Sequence, residues 1–170
     1  MASLTLVASD LRGLHGGWEK LGPLSGGAMA PRRPVPLLDG SELSLGQEDA
    51  PITVLAFWAT WCPSCRAELP ELEALHAKSG PGVRVVAVNR EGGGLSAEEQ
   101  RRIARAYTKR EGLSMPVGLD RGPLGQAFRL RVLPHTVILD QEGRVRYVHS
   151  GRVSSETLDQ EVAELLAETS

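Results

Sequence analysis

Ile52-Thr53-Val54-Leu55-Ala56-Phe57-Trp58 is the stretch that most narrows what this chain can fold into. It is almost continuous in apolar side chains and rich in β-branched and aromatic ones. A short run of that kind reads as a strand buried on both faces. Such a strand needs a packed layer on each side of its sheet. It also leads, through Ala59-Thr60-Trp61, into the only two cysteines of the chain, Cys62 and Cys65. A helix-like segment starts at Pro63, so the cysteines sit where a strand exits and a helix begins. That context predicts a dithiol/disulfide redox site.

The rest of the chain supplies the scaffold. Val35 to Leu45 reads as a small hairpin turning at Asp39-Gly40, with Pro36 suited to an edge strand. The helix from Pro63 to about Ser79 takes Pro63 in its first turn, where a missing N–H costs nothing. Pro70 within it predicts a kink, and Leu69, Leu72, Leu75 and His76 form its inner face. Val83 to Asn89 is a second buried strand. Ser96-Ala97-Glu98-Glu99 is a capping box that opens a helix to about Glu111, with Ile103, Ala106 and Tyr107 inward. A short strand over Met115 to Leu119 and a short helix over Pro123 to Leu130 follow. The strands His135 to Asp140 and Arg144 to His149 form a hairpin in which Gly143 can take a positive φ. A last helix, Ser155 to Glu168, places Leu158, Val162, Leu165 and Leu166 at helical spacing. The alternation predicts an α/β fold: a central mixed β-sheet flanked by helices, its early strands parallel through right-handed crossovers.

The 170 residues suit one domain with a short extension. The domain is expected over 35–170. Residues 1–34 read as an N-terminal tail or extension, glycine-rich and closed by Pro31-Arg32-Arg33-Pro34. A short helix on Leu4, Leu6, Val7, Leu11 and Leu14 and an unpacked tail both fit it. Net charge is −2, which gives no electrostatic case for nucleic acid. No apolar run is long enough to span a bilayer. The first ten residues lack the basic start of an export signal, and Asp10 interrupts their apolar run. On these residues alone the protein is cytoplasmic, or a signal or anchor lies outside the chain.

A thiolate, not a thiol, attacks a disulfide. At a helix start, unpaired N–H groups and the helix dipole favour the Cys62 anion. Cys65 follows one turn inward. The spacing predicts an exposed Cys62 that attacks and a covered Cys65 that resolves. Glu68, one further turn on, could take the proton Cys65 must lose, or be a surface carboxylate like Glu71 and Glu73. Trp61 is a better candidate than Trp58 for the rim of the site. Leu133-Pro134 precedes a strand, and a cis bond there would expose the Leu133 backbone to an incoming peptide. Haem attachment is excluded because Arg66, not histidine, follows Cys65. A metal site would have to recruit two of His15, His76, His135 and His149, which lack ligand spacing. Two rivals stand beside disulfide exchange: a thiol peroxidase on the same scaffold, and a redox-inert metallochaperone or assembly module using the thiols as soft ligands.

Phe57-Trp58-Ala59-Thr60-Trp61-Cys62-Pro63-Ser64-Cys65, its continuation Arg66-Ala67-Glu68-Leu69-Pro70, and Leu133-Pro134-His135-Thr136-Val137-Ile138-Leu139-Asp140 resemble the thioredoxin superfamily. More closely they resemble its TlpA/ResA-like thiol–disulfide oxidoreductases, the branch that includes cytochrome c maturation reductases. The resemblance spans roughly residues 35 to 168. It implies a thioredoxin-like fold with an N-terminal β-hairpin and a helix-bearing insertion near 90 to 120. It implies that Cys62 is the nucleophile, Cys65 the resolving thiol, Glu68 an acid/base and Pro134 cis. Trp61, Pro63, Ser64, Leu133 and His135 would then meet the partner. Protein disulfides or dithiols are the implied substrates, fed by an upstream thiol donor, with no cofactor, and a monomer is expected. The family also implies an extracytoplasmic setting, with the cytoplasm as the alternative. Two departures stand out. Ala56 occupies the place of the buried aspartate of ordinary thioredoxins, and His135 follows the proline where the family often has threonine.

Overall fold

The computed structural model of the protein describes residues 26–47 and 51–169. The expected helix on Leu4 to Leu14 lies outside them. The central sheet holds, in spatial order, β5 (Val117–Leu119), β4 (Val83–Asn89), β3 (Ile52–Trp58), β6 (His135–Leu139) and β7 (Val145–Ser150). β3 occupies the middle and is buried at every residue. β3, β4 and β5 run parallel, joined by α1 (Pro63–Lys78) and α2 (Ala97–Glu111). Parallel neighbours need such crossovers, whereas β6 and β7 are antiparallel and turn directly into one another.

Alternation along β3 divides the core. Val54, Ala56 and Trp58 face a layer made by Leu69, Leu72 and Leu75 of α1, Tyr107 of α2, and Leu158, Val162 and Leu165 of α4 (Ser155–Glu168). Leu55 and Phe57 face the opposite layer, with Leu124 of α3 (Pro123–Ala127) and Phe128 just beyond it. The hairpin of β1 (Pro34–Pro36) and β2 (Glu42–Ser44) closes that layer with Val35 and Leu43. Each large apolar side chain buried this way contributes about 1.5–3 kcal/mol.

Two glycines make the hairpin fit. A Cβ on Gly118 would stand 2.7 Å from Val35 Cγ1, so the bare backbone of β5 lets β1 lie against it. Gly143, in the β6–β7 turn, has φ 78, and a Cβ there would stand 2.4 Å from the Gly46 Cα. Gly143→Ala therefore meets both a left-handed backbone and another backbone. It is expected to destabilise the fold by about 1–3 kcal/mol, read as a lower midpoint in chemical denaturation. An unchanged midpoint would contradict the close approach.

Expectation and structure part at helix faces. Ala106 is exposed and Ile103 half-buried; the inner face of α2 is Gln100, Ala104, Tyr107 and Thr108. A polar residue takes the core position because Gln100 Nε2 donates to Asn89 O at 2.9 Å and to Asp120 O at 3.1 Å, tying α2 to β4 and the end of β5. Leu166 of α4 is 38% exposed, beyond the stripe that Leu158, Val162 and Leu165 press on the sheet. His76 is only half-buried, and α1 runs on through Pro70. The capping box at Ser96 and Glu99 is present as expected. Residues just before β1 pair with the turn and second strand of the closing hairpin: Ala30 N donates to Gly143 O at 2.8 Å and Val145 N to Ala28 O at 2.8 Å.

Candidate active site

The C-terminal end of β3 delivers the chain to the site. Cys62 and Cys65 form a disulfide with a Cα–Cα separation of 5.3 Å. Cys62 is the N-cap of α1, and its Sγ accepts the Cys65 N–H at 3.2 Å. One of the helix's unpaired donors therefore points at this sulfur, and the first turn holds no acidic residue to oppose a negative charge there. Cys62 is 5% exposed and Cys65 1%. The expected contrast of an open and a covered cysteine is thus small in the bridged state. Only the edge of the Cys62 residue reaches the surface.

Glu91 holds the loop that carries Cys62. Its Oε1 accepts from Thr60 N at 2.9 Å and Asn89 Nδ2 at 2.7 Å, and its Oε2 accepts from Thr60 Oγ1 at 2.9 Å. Its backbone carbonyl accepts from Trp61 Nε1 at 2.8 Å. Trp61 is 62% exposed, yet this bond fixes its ring beside the disulfide. Trp58 is buried against Tyr107, with ring centroids 5.1 Å apart. Sequence reading missed Glu91. A lone glutamate after a strand carries no spacing signal, and its partner Thr60 is 31 residues away.

Glu68 is not a surface carboxylate. It is 1% exposed, on the turn of α1 that follows Cys65. Its Oε1 accepts from Thr136 Oγ1 at 3.0 Å, and its Oε2 has no partner. Burial pushes its carboxyl above the ordinary range, more than the Thr136 hydroxyl and the Val153 backbone N–H pull it down. Thr136 pairs with Ala56 across β3 and β6, so the buried carboxyl lies on the face of the sheet from which Ala56 projects. The two surface comparisons are themselves engaged: Arg152 Nη2 donates to Glu71 at 2.6 Å, and the Ser114 and Met115 N–H groups each donate to Glu73 at 3.0 Å.

The Leu133–Pro134 bond is cis. His135 pairs with Phe57, which places Leu133 and Pro134 beside the strand exit leading to Cys62. Gly151 N donates to Pro134 O at 2.9 Å and fastens the loop from the other side. Pro63 and Ser64 are exposed and Leu133 half-buried. His135 departs from the surface role expected of it. Its side chain is 1% exposed, tilted against Phe57 with centroids 6.2 Å apart, and Nδ1 lies 3.3 Å from Ser150 Oγ. Strand alternation explains this: Thr136 turns toward Glu68, so His135 must turn to the opposite layer. Burial holds its imidazole below the usual histidine value, with the charge of His149 acting the same way. Among the described residues, no group of three or more His, Cys, Asp or Glu side chains could hold a metal ion, and no helix is long and apolar enough to cross a membrane.

A disulfide at a helix N-terminus, a buried carboxyl behind it and a cis-proline loop across from it define a thiol–disulfide oxidoreductase of thioredoxin-like fold. The chain belongs to the Redoxin family, whose model matches residues 26–166. It is similar to the thioredoxin-like protein YneN of Bacillus subtilis, with 31% identity over 80% of this chain and 78% of that protein. It is also similar to the thiol-disulfide oxidoreductase ResA of Halalkalibacterium halodurans, with 31% identity over 72% of this chain and 67% of the relative. Among solved structures, the exposed lipoprotein thioredoxin Etrx1 of Streptococcus pneumoniae superposes with a TM-score of 0.66 at 27% identity, over 78% of this chain and 98% of that one.

Proposed function

We propose that this oxidoreductase reduces protein disulfides, with Cys62 as the attacking sulfur and Cys65 as the resolving one. In the reduced protein the Cys62 thiolate attacks a substrate disulfide. A new bond joins Cys62 to one substrate sulfur, and the other leaves as a thiolate that takes up a proton. Glu68 accepts the proton of the Cys65 thiol, whose sulfur then attacks Cys62. The internal disulfide closes, the second substrate thiolate departs and is protonated, and two electrons have passed to the substrate. An upstream dithiol returns the protein to its reduced form.

The observation that carries this reading is the Cys62 sulfur capping α1, with the buried Glu68 carboxyl one turn beyond Cys65. Glu91 is a positioning residue that holds Thr60 and Trp61. Trp61, Pro63, Ser64 and the Leu133 backbone make the surface the partner meets, while Pro134 shapes the loop opposite Cys62. His135 acts from the interior. An extracytoplasmic setting is supported by the likeness to Etrx1, which is described as an exposed lipoprotein. The test is dithiothreitol-driven reduction of insulin, followed by turbidity. The protein is expected to shorten the lag several-fold at micromolar concentration. A lag equal to that of dithiothreitol alone would contradict the proposal.

A further inference from the structure

A proton taken up by Glu68 is held in the interior and needs a way out. Cys65, Glu68 and Glu71 follow one another three residues apart along α1. Residues at that spacing are neighbours on a helix surface, with Cβ atoms about 5–6 Å apart, a gap that two glutamate side chains can span. Exposure rises along this line. Cys65 and Glu68 are each 1% exposed, whereas the Glu71 side chain is 26% exposed. Both carboxyls also carry a buried oxygen, Oε2 in each case, with no hydrogen-bond partner among the described residues. An unpaired buried acceptor is costly. A proton on either carboxyl would supply the missing donor.

The segment after β7 links the two carboxyls. Arg152 Nη2 donates to Glu71 Oε1 at 2.6 Å, and the Arg152 charge and the Val153 backbone N–H both act on the Glu68 carboxyl. Glu71 and Arg152 are the charged groups that act on Glu68, and the Thr136 hydroxyl faces it from β6. These neighbours differ in what they can do with a proton. The Arg152 guanidinium keeps its own, and a backbone amide is no base. Thr136 is fully buried, so its hydroxyl leads no nearer to solvent. Of the groups that act on Glu68, Glu71 alone can both accept a proton and meet water.

We propose that Glu71 is the exit through which the Cys65 proton, once on Glu68, leaves for solvent. The proposal rests on the exchange reading above and adds the route of its proton. The Cys65 S–H bond breaks and its proton bonds to a Glu68 oxygen. The electron pair stays on the sulfur and forms the bond to Cys62. Glu68 then gives the proton to Glu71, and Glu71 gives it to water. No electrons pass between the carboxyls, and the route runs backward when the disulfide is reduced. Glu71 touches neither sulfur and acts through Glu68 as a positioning residue for the proton.

The test follows the full protein, reduced and then freed of reductant, through a single turnover with dithiobis(nitrobenzoate). The protein is in excess, in weak buffer with a pH-indicator dye. The leaving thionitrobenzoate anions are coloured and stay ionised at neutral pH, so closing the disulfide releases the Cys65 proton to solution. The first anion reports attack by Cys62, the second reports resolution by Cys65, and the dye reports the exit of the proton. In the wild type the proton should appear together with the second anion. In Glu71→Gln the first anion should keep its rate. The proton should then appear about a hundredfold more slowly than the second anion, the low end of what a positioned acid–base group contributes. Arg152→Gln breaks the same ion pair but keeps the carboxyl, so its proton should stay in step with the second anion. A proton in step with the second anion in Glu71→Gln would overturn the proposal and leave disulfide exchange intact. So would an equal lag in both variants, which would make Glu71 and Arg152 a structural clamp. No second anion from the wild type would overturn the exchange reading and this proposal with it.

Discussion

Cys62→Ser is expected to remove disulfide exchange altogether. A serine hydroxyl is not ionised at neutral pH and cannot form a mixed disulfide, so the first bond of the cycle has no donor. The expected result is an insulin-reduction lag equal to that of dithiothreitol alone, a loss of at least about a thousandfold in the protein's own contribution. The fold should survive. Serine is smaller than cysteine and is itself a favoured N-cap, so the N–H of Cys65 keeps an acceptor at the start of α1. Far-ultraviolet circular dichroism of the variant should match that of the wild type. Residual exchange above the dithiothreitol blank would mean that another sulfur starts the reaction, and Cys65 is the only other one in the chain.

Glu68→Gln is the second large effect, and it should move activity and stability in opposite directions. Glutamine has nearly the same shape and its carbonyl oxygen can accept from Thr136, but it cannot take a proton from Cys65. Loss of a positioned general base typically costs about a hundredfold to ten-thousandfold in the step it serves. That step is resolution of the mixed disulfide, which should become slow in stopped-flow measurements while the first attack by Cys62 stays near its wild-type rate. The wild-type resolution rate should rise with pH through the raised pKa of Glu68, and this rise should be missing in the variant.

The stability change follows from the same burial. Because the folded pKa of Glu68 is raised, the folded state holds the proton longer than the unfolded chain does. Below the ordinary glutamate pKa the carboxyl is neutral in both states and costs nothing. As pH rises from there through the folded pKa, ionisation increasingly favours the unfolded chain, and above the folded pKa the destabilisation is complete. Glu68→Gln should therefore melt higher than the wild type at neutral pH, with the difference shrinking as pH falls toward about 4. A melting difference independent of pH would place the carboxyl in contact with water.

The fold was legible because each element states its own rule. Six of the seven residues of β3 are apolar, and all seven are buried. Ser96 and Glu99 announce the start of α2 by a local exchange of hydrogen bonds, which sequence spacing can show. Cys62 and Cys65 are visible for the same reason: their chemistry depends on neighbours in the chain. What stayed hidden depends on long-range pairing. The inward place of Gln100 on α2 depends on Asn89 and Asp120, which supply acceptors for its amide. Glu91 binds a loop far back along the sequence. His135 was expected at the partner surface but lies inside, because its side depends on which face Thr136 needs to meet Glu68.

The central claim is the order of the two sulfurs, and Cys65→Ser tests it most directly. With the resolving thiol removed, the reduced variant should stop at the mixed disulfide when mixed with a peptide disulfide. Proteolysis and mass spectrometry of the trapped adduct, under acid to prevent exchange, should place the peptide on Cys62 in stoichiometric yield. The reciprocal Cys62→Ser variant should trap none. No adduct with Cys65→Ser, together with a stable one on Cys65 in the Cys62→Ser variant, would contradict the account.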